Sequence, residues 1–330
     1  MPQYRRCTPL HMRALMLALI LAGACAEAWA QAYPAKPIRL VVGFAPGGAA
    51  DFVARTIGEA LGRKLGQSVL IENRAGAGSS IAADYVSKSP PDGYTMLIAS
   101  PSSISVNPAL NPKIGYSPLD LAPVTKVSSS PLLVVVNSSV DARSIKDLIA
   151  AAKKAPGRLN YASSGNGSAP HLAGVLFTRL AGIDMVHVPF KGGGPAVQSV
   201  LAGDTQVTFA TPPSVLPLVQ AGRLRALALT SRLRTPLVPE LPGMEEAGLA
   251  EYDMTFWYGF FVPAGTKLEI VRKLFDATVS VLQQPEVRLA LAREGTEASP
   301  SRSSEEFAAY LAEDAKFWVR LVKESGAKLD

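Results

Sequence analysis

Cysteine is almost absent: of 330 residues only Cys7 and Cys25 carry a thiol, and both precede residue 31. The rest of the chain must hold together by core packing without disulfides, and offers no thiolate for nucleophilic or metal chemistry. Histidine is nearly as scarce, and only His171 and His187 follow residue 30. A transition-metal site would have to be built almost wholly from carboxylates, so no metal is expected. Charged residues make up only 18% and are scattered, as at Arg63-Lys64 and Lys153-Lys154, with no basic stripe interleaved with aromatics. Nucleic acid is a poor fit as a partner. No apolar run reaches the roughly 20 residues that a membrane-spanning helix needs. There is no Gly-x-Ser-x-Gly elbow, no P-loop, no Gly-x-Gly-x-x-Gly after a strand and no His-Glu-x-x-His, so no cofactor is expected either.

What remains is a chain that is 48% hydrophobic, with 27 Gly and 26 Pro spread without a fixed period. That describes a folded protein of about two domains. Arg5, Arg6 and Arg13 precede the apolar run 14–26, and Ala28-Trp29-Ala30 offers small residues where a signal peptidase reads. The expectation is a signal peptide over 1–30, cut after Ala30, and a periplasmic protein. An uncleaved anchor and lipoprotein processing at Cys25 are the alternatives. Without 1–30 the chain has 30 basic and 26 acidic residues, a net +4. This mild positive field suits an anionic small molecule.

The apolar strand at 38–44 is followed by a glycine turn and then by Val53, Ala54, Ile57, Ala60, Leu61 and Leu65 at helical spacing. Short strands are also expected at 69–72, 95–99, 159–162, 185–189, 205–210, 224–230 and 256–262, most of them followed by helix-period segments. Ser144 with Asp147, and Ser303 with Glu306, are helix-start signals. Strands alternating with helices predict α/β architecture with mostly parallel sheets flanked by helices. The rhythm breaks at 121–131 and at 231–252. Those breaks suggest a domain that is left and re-entered: lobe 1 from 31–128 plus 256–330, and lobe 2 from 129–255, with a cleft between them.

Four polar turns fall between a strand and a helix: Phe44-Ala-Pro-Gly-Gly-Ala-Ala-Asp51, Ser163-Ser-Gly-Asn-Gly-Ser-Ala-Pro170, Phe190-Lys-Gly-Gly-Gly-Pro195 and the less glycine-rich Ser100-Pro-Ser-Ser103. Glycine lets the backbone approach a ligand, and the helix that follows presents free N–H groups and a positive dipole end, which suits an anion. The hydroxyls of Ser102, Ser164 and Ser168 could add bonds, with Ser100 beside them in the fourth turn. Any one tight βα turn needs glycine anyway; three divided between two lobes favour a shared cleft. Asp51 reads as a helix cap. Ser164 or Ser168 with His171 could form the nucleophile and base of a secreted ester hydrolase, or His171 could simply cap or pack its helix. Trp257 could wall the pocket or belong to the core.

These segments, together with Glu72-Asn-Arg-Ala-Gly-Ala-Gly78, Pro91-Asp-Gly-Tyr-Thr95, Asn107-Pro108, His187-Val-Pro-Phe-Lys-Gly192, Gly222-Arg-Leu-Arg-Ala-Leu-Ala228 and Trp257-Tyr-Gly259 before Pro263-Ala-Gly265, resemble the Bug-type substrate-binding receptors of tripartite tricarboxylate transporters. The likeness runs in order along nearly the whole chain after residue 30. It implies a two-lobed periplasmic binding protein, type II-like and of Venus-flytrap form. Such a protein closes on a small organic carboxylate (a di- or tricarboxylate, an amino acid or an aromatic acid). It hands the solute to a membrane permease, as a monomer and without catalysis; a receptor feeding a sensor is the alternative. The resemblance places the carboxylate on backbone groups of Phe44, Pro46, Gly47 and Gly48 and, from the second lobe, on Ser164, Gly165, Gly167 and Ser168. Lys191 could neutralise a second carboxylate or stand solvated at a loop edge. Where the family commonly shows further glycines this chain has Ser79 and Ala82, and the resemblance carries no binding role onto them.

Overall fold

The computed structural model describes residues 33–111 and 113–325. The expected signal peptide, its cleavage site and Cys25 lie outside the described residues. The elements below all belong to one unit, Lys36–Asp330.

β1 (Ile38–Val42) leads through the first glycine turn into α1 (Ala49–Leu65), followed by β2 (Val69–Asn73), α2 (Ser80–Ser87) and β3 (Thr95–Ala99). A π-helical turn, Ser102–Val106, and the short α3 (Asn107–Leu110) precede β4 (Leu121–Pro131). Next come β5 (Leu133–Asn137), α4 (Ile145–Lys154), β6 (Asn160–Ser163), α5 (Ala169–Ala181) and β7 (Val186–Pro189). α6 (Gly193–Ala202), β8 (Val207–Ala210), α7 (Pro212–Gln220) and β9 (Leu224–Leu229) follow. β10 (Thr255–Pro263), α8 (Leu268–Leu282), α9 (Pro285–Arg293), β11 (Glu297–Ala298) and α10 (Ser304–Ser325) complete the chain.

Local signals act as their chemistry requires. In α1 the residues at helical spacing, Val53, Ala54, Ile57 and Leu61, are fully buried, Asp51 sits in the first turn, and Arg63 and Lys64 complement the dipole in the last. Ser144 Oγ accepts the Asp147 N–H at 3.1 Å, and Ser303 Oγ accepts the Glu306 N–H at 3.1 Å, each satisfying a donor that its helix cannot.

Two sheets form, in the orders β11-β4-β10-β3-β1-β2 and β7-β6-β8-β5-β9. The sheets are mixed, where mostly parallel ones were expected. β1 is parallel to β2 and β3, and β6 to β7 and β8, through helical crossovers. The strands that carry the chain between sheets run the other way: β10 is antiparallel to β3 and β4, and β5 to β8 and β9. The segment 121–131, expected as a break, is the strand β4. It stays in the first sheet to Pro131, past the expected limit at 128, and β10 enters that sheet at Thr255.

Each sheet buries its own core. Val41, Val86, Leu97, Trp257, Phe261 and Phe307 pack together against the first, and Leu133, Val135, Val197, Val200 and Leu229 against the second. The outgoing and returning crossings are clasped at Thr230. Its hydroxyl accepts the Leu132 N–H and donates to Met254 O, both at 2.7 Å. Its own N–H bonds Leu132 O, and its carbonyl accepts the Met254 N–H, both at 2.8 Å. Among the described residues no helix is long and apolar enough to cross a membrane.

Candidate functional site

The helices that follow the parallel strands begin at the strands' C-terminal ends, the usual ligand position in open α/β sheets. The first residues of four of them surround one inner chamber: Gly48 to Ala50 at α1, Ala169 and Pro170 at α5, Gly193 at α6, Thr211 and Ser214 at α7. Phe44, Ser102, Ser164, Phe256 and Tyr258 close other walls. No charged side chain lines the chamber. First-turn N–H groups lack an intrahelical acceptor, and each helix N-terminus carries about half a positive charge; α7, which opens on Pro212-Pro213 and bonds its Ser214 N–H to Thr211 O, adds its dipole and hydroxyls but no free N–H. Four converging N-termini therefore make an electropositive pocket without a cation, suited to a carboxylate or a similar small anion. About 20 Å³ is open inside, room for about one water-sized group.

An outer chamber of about 510 Å³ adjoins it, sharing Phe44 and Ser164 and continuing along Gly43, the 76–79 loop, Gly165, Asn166 and Lys191. Lys191 is exposed. Loops of the two sheets meet over this cleft: the Ala45 N–H donates to Lys191 O at 3.1 Å, and the Ala49 N–H to Ser214 Oγ at 3.2 Å. A Cβ on Gly192 would stand 2.9 Å from the Ala45 nitrogen.

Asp51 braces the first turn from beneath. Its carboxylate accepts from the Gly47 N–H at 3.1 Å, from Arg55 through two bonds of 2.9 Å, and from Asn73 Nδ2 at 3.0 Å. Burial pushes its pKa up, but the bonds from Arg55, Gly47 and Asn73 outweigh that and hold it below the ordinary aspartate value. Asp51 is thus a fixed anion with its own counterion. Burial pushes the Tyr258 phenol well above its ordinary value, so it remains a neutral hydroxyl.

Of the residues named from sequence, Phe44, Gly48, Ser102 and Ser164 line the inner chamber, and Phe44, Ser164, Gly165 and Lys191 the outer one. Pro46, Gly47, Ser100, Gly167 and Ser168 stand outside both linings. Gly47 spends its N–H on Asp51, and a Cβ there meets nothing within 4 Å. Ser100 is fully buried. The Gly167 N–H bonds His171 Nδ1 at 3.2 Å, and Ser168 caps α5 by accepting the His171 N–H at 3.4 Å. Trp257 is corrected to a core residue: it is 1% exposed, donates to Asp314 Oδ2 at 2.8 Å and packs on Phe307. Successive strand side chains point to opposite faces, so in β10 Phe256 and Tyr258 face the chamber. The alternation in 256–262 carried that signal. Sequence reasoning also missed Thr211 and Ser214, whose signal was proline at the start of α7 rather than glycine.

Ser163 and His187 form a close serine–histidine pair, at 2.6 Å, and Ser163 is fully buried. Ser168 is occupied as a cap. Among the described residues no group of three or more His, Cys, Asp or Glu could hold a metal ion.

Residues 53–327 match the sequence family described as the tripartite tricarboxylate transporter family receptor, TctC. The chain belongs to the TctC receptor family. Within it, the chain is 38% identical over 313 residues to the protein BugT of Bordetella pertussis, covering 93% of this chain and 95% of BugT. The structure of the periplasmic binding protein BugD superposes with a TM-score of 0.85 at 29% identity, over 90% of this chain and 99% of BugD. The R. palustris protein Rpa4515, solved with adipate, superposes at 0.87 with 34% identity, over 90% of this chain and all of its own. The TctC receptor described here thus has the two-lobed α/β fold of periplasmic solute-binding proteins.

Proposed function

We propose that this chain is an extracytoplasmic receptor for a small organic carboxylate, exported by residues 1–30. It delivers its ligand to a membrane permease of the tripartite tricarboxylate type, as a monomer and without catalysis. The observation that carries this reading is the charge-free inner chamber on which four helix N-termini converge. One carboxylate oxygen enters that chamber, on the first-turn N–H groups of α1, α5 and α6 and within reach of the Ser102, Ser164 and Tyr258 hydroxyls. The body of the ligand extends past Phe44 into the outer chamber, where Lys191 meets a second acidic group. Di- and tricarboxylates, amino acids and aromatic acids share this requirement, and the adipate held by Rpa4515 is of that chemistry. Pro46, Gly47, Ser100, Gly167 and Ser168 act behind the walls, fixing the turns that present the donors. The solute binds the closed arrangement more tightly than the open one, and that difference drives closure.

A thermal-shift screen tests the reading. The chain without residues 1–30 is unfolded, refolded free of ligand, and melted against free acids and their amide and ester analogues. A ligand at 100 times its Kd adds about 2.7 kcal/mol, a rise of several degrees. The expected result is stabilisation by free acids that is lost on amidation. A refolded chain that no acid stabilises refutes the reading, and turnover of the esters would favour a hydrolase.

A further inference from the structure

The loop between β2 and α2 holds four successive residues at positive φ: Gly76 at 138°, Ala77 at 46°, Gly78 at 57° and Ser79 at 77°. Ala77 and Ser79 are the non-glycine residues in that region among the described residues. Such conformations persist only where the surroundings over-determine them, and they cluster at ligand clamps. Asn107 is part of what holds this one: its amide donates to Ala77 O at 3.1 Å, Gly78 O at 3.0 Å and Ser80 Oγ at 2.8 Å.

Ser79 carries a second cost. Its hydroxyl is buried and bonds nothing, and a buried hydroxyl without a partner forfeits its hydration. The place is made for it by Gly43, on which a Cβ would overlap Ser79 Oγ. Glycine at position 79 would remove both costs and leave the turn intact. Ser79 and Gly43 both lie on the wall of the outer chamber, with Phe44, Ser164 and Lys191.

We propose that Ser79 is a specificity-determining residue of the outer chamber, its hydroxyl turning about χ1 away from Gly43 to bond an oxygen at the end of the ligand remote from the anchored carboxylate. The selected class is then carboxylates with a second oxygen group, either another carboxylate or a hydroxyl, over acids with a plain hydrocarbon tail. This rests on the carboxylate-receptor reading of the cleft.

The test is calorimetric titration of wild type, Ser79→Gly and Ser79→Ala with adipate and malate, and with hexanoate and butyrate as chain-matched monocarboxylates, alongside thermal melts. Ser79→Gly is expected to melt higher, because strain and the orphan hydroxyl both go. Its affinity for adipate or malate is expected to fall about tenfold, as loss of one hydrogen bond to a charged group implies, with hexanoate and butyrate unaffected. Ser79→Ala is expected to show the same selective loss while keeping the strained backbone. A purely structural serine would move the melt and leave the ratio of affinities unchanged, and that result overturns the proposal. Wild type that binds all four acids without preference overturns it too, while the receptor reading stands. Wild type that binds none of them, together with failure of the wider acid screen, overturns both.

Discussion

The contact between the 44–48 turn and the 190–194 turn makes a sharp prediction about Gly192. Its φ of 149° with ψ of 171° is backbone that essentially only glycine adopts. Alanine there incurs about 1–3 kcal/mol of strain in any arrangement of the lobes. Its Cβ also lies 2.9 Å from the Ala45 nitrogen, a backbone atom that no rotamer change can move aside. Relief requires the two turns to part, and with them the Ala45 N–H to Lys191 O bond, worth about 1 kcal/mol net. The closed arrangement therefore loses about 1 kcal/mol more than the open one, a fivefold weaker Kd at about 1.4 kcal/mol per decade. Gly47→Ala is the control: φ is 80°, but nothing lies within 4 Å of the new Cβ, so it pays strain without a clash. Scanning calorimetry should show both variants melting lower, Gly192→Ala by about 5 °C and Gly47→Ala by about half that. Titration calorimetry with the best ligand from the acid screen should show weakened binding only in Gly192→Ala. Equal affinities in the two variants would refute the argument that these turns meet in the liganded state.

Asp51→Asn should cost about 2 kcal/mol at pH 7 in urea melts, since it removes an anion held by Arg55, Gly47 and Asn73. Because the folded pKa of Asp51 is lowered, that stabilisation is complete above the unfolded value of 3.8 and is lost as pH falls through the folded one. The gap between wild type and variant should therefore close on going from pH 5 towards pH 2. Thr230→Val strands the buried Leu132 N–H and deprives Met254 O of a donor; the denaturant midpoint should fall by an amount worth about 2 kcal/mol, with an unchanged slope. Gly174→Val drives a Cβ into the Tyr161 ring, an overpacking that should destabilise by about 2–3 kcal/mol in the same melts.

The βα units were legible because period and punctuation agree: Ile38–Val42, Ala49–Leu65 and Thr95–Ala99 stand where apolar runs and helical spacing placed them. β4 and β5 were not, because Pro123 and the serines at 128–130 read as loop, and the apolar Leu133–Asn137, buried throughout, followed without a turn. Strand direction was illegible too, since antiparallel return strands carry no local mark that parallel ones lack. At the site, glycine turns pointed to the α1, α5 and α6 starts because close backbone approach needs glycine. The α7 start escaped, as its Thr211 and Ser214 need none. Trp257 was misplaced against Tyr258 by one residue, which in a strand is the whole width of the sheet. Ser79 breaks a local rule, and such a break cannot be read from a pattern that assumes the rule.

The clasp at Thr230 bears on how such a receptor can be rebuilt. Leu132, Thr230 and Met254 tie the two connections between the sheets by four hydrogen bonds, so residues 133–229 leave and return through one seam. A cassette cut at that seam and grafted between homologues would need to match its host at these three positions, at the facing turns and where α5 packs on α10 and its Ala173 carbonyl accepts the Tyr252 hydroxyl. Ligand preference in the family could then change by exchange of halves as readily as by point substitution, one half arriving with the α1 start already aimed and the cassette with the starts of α5, α6 and α7.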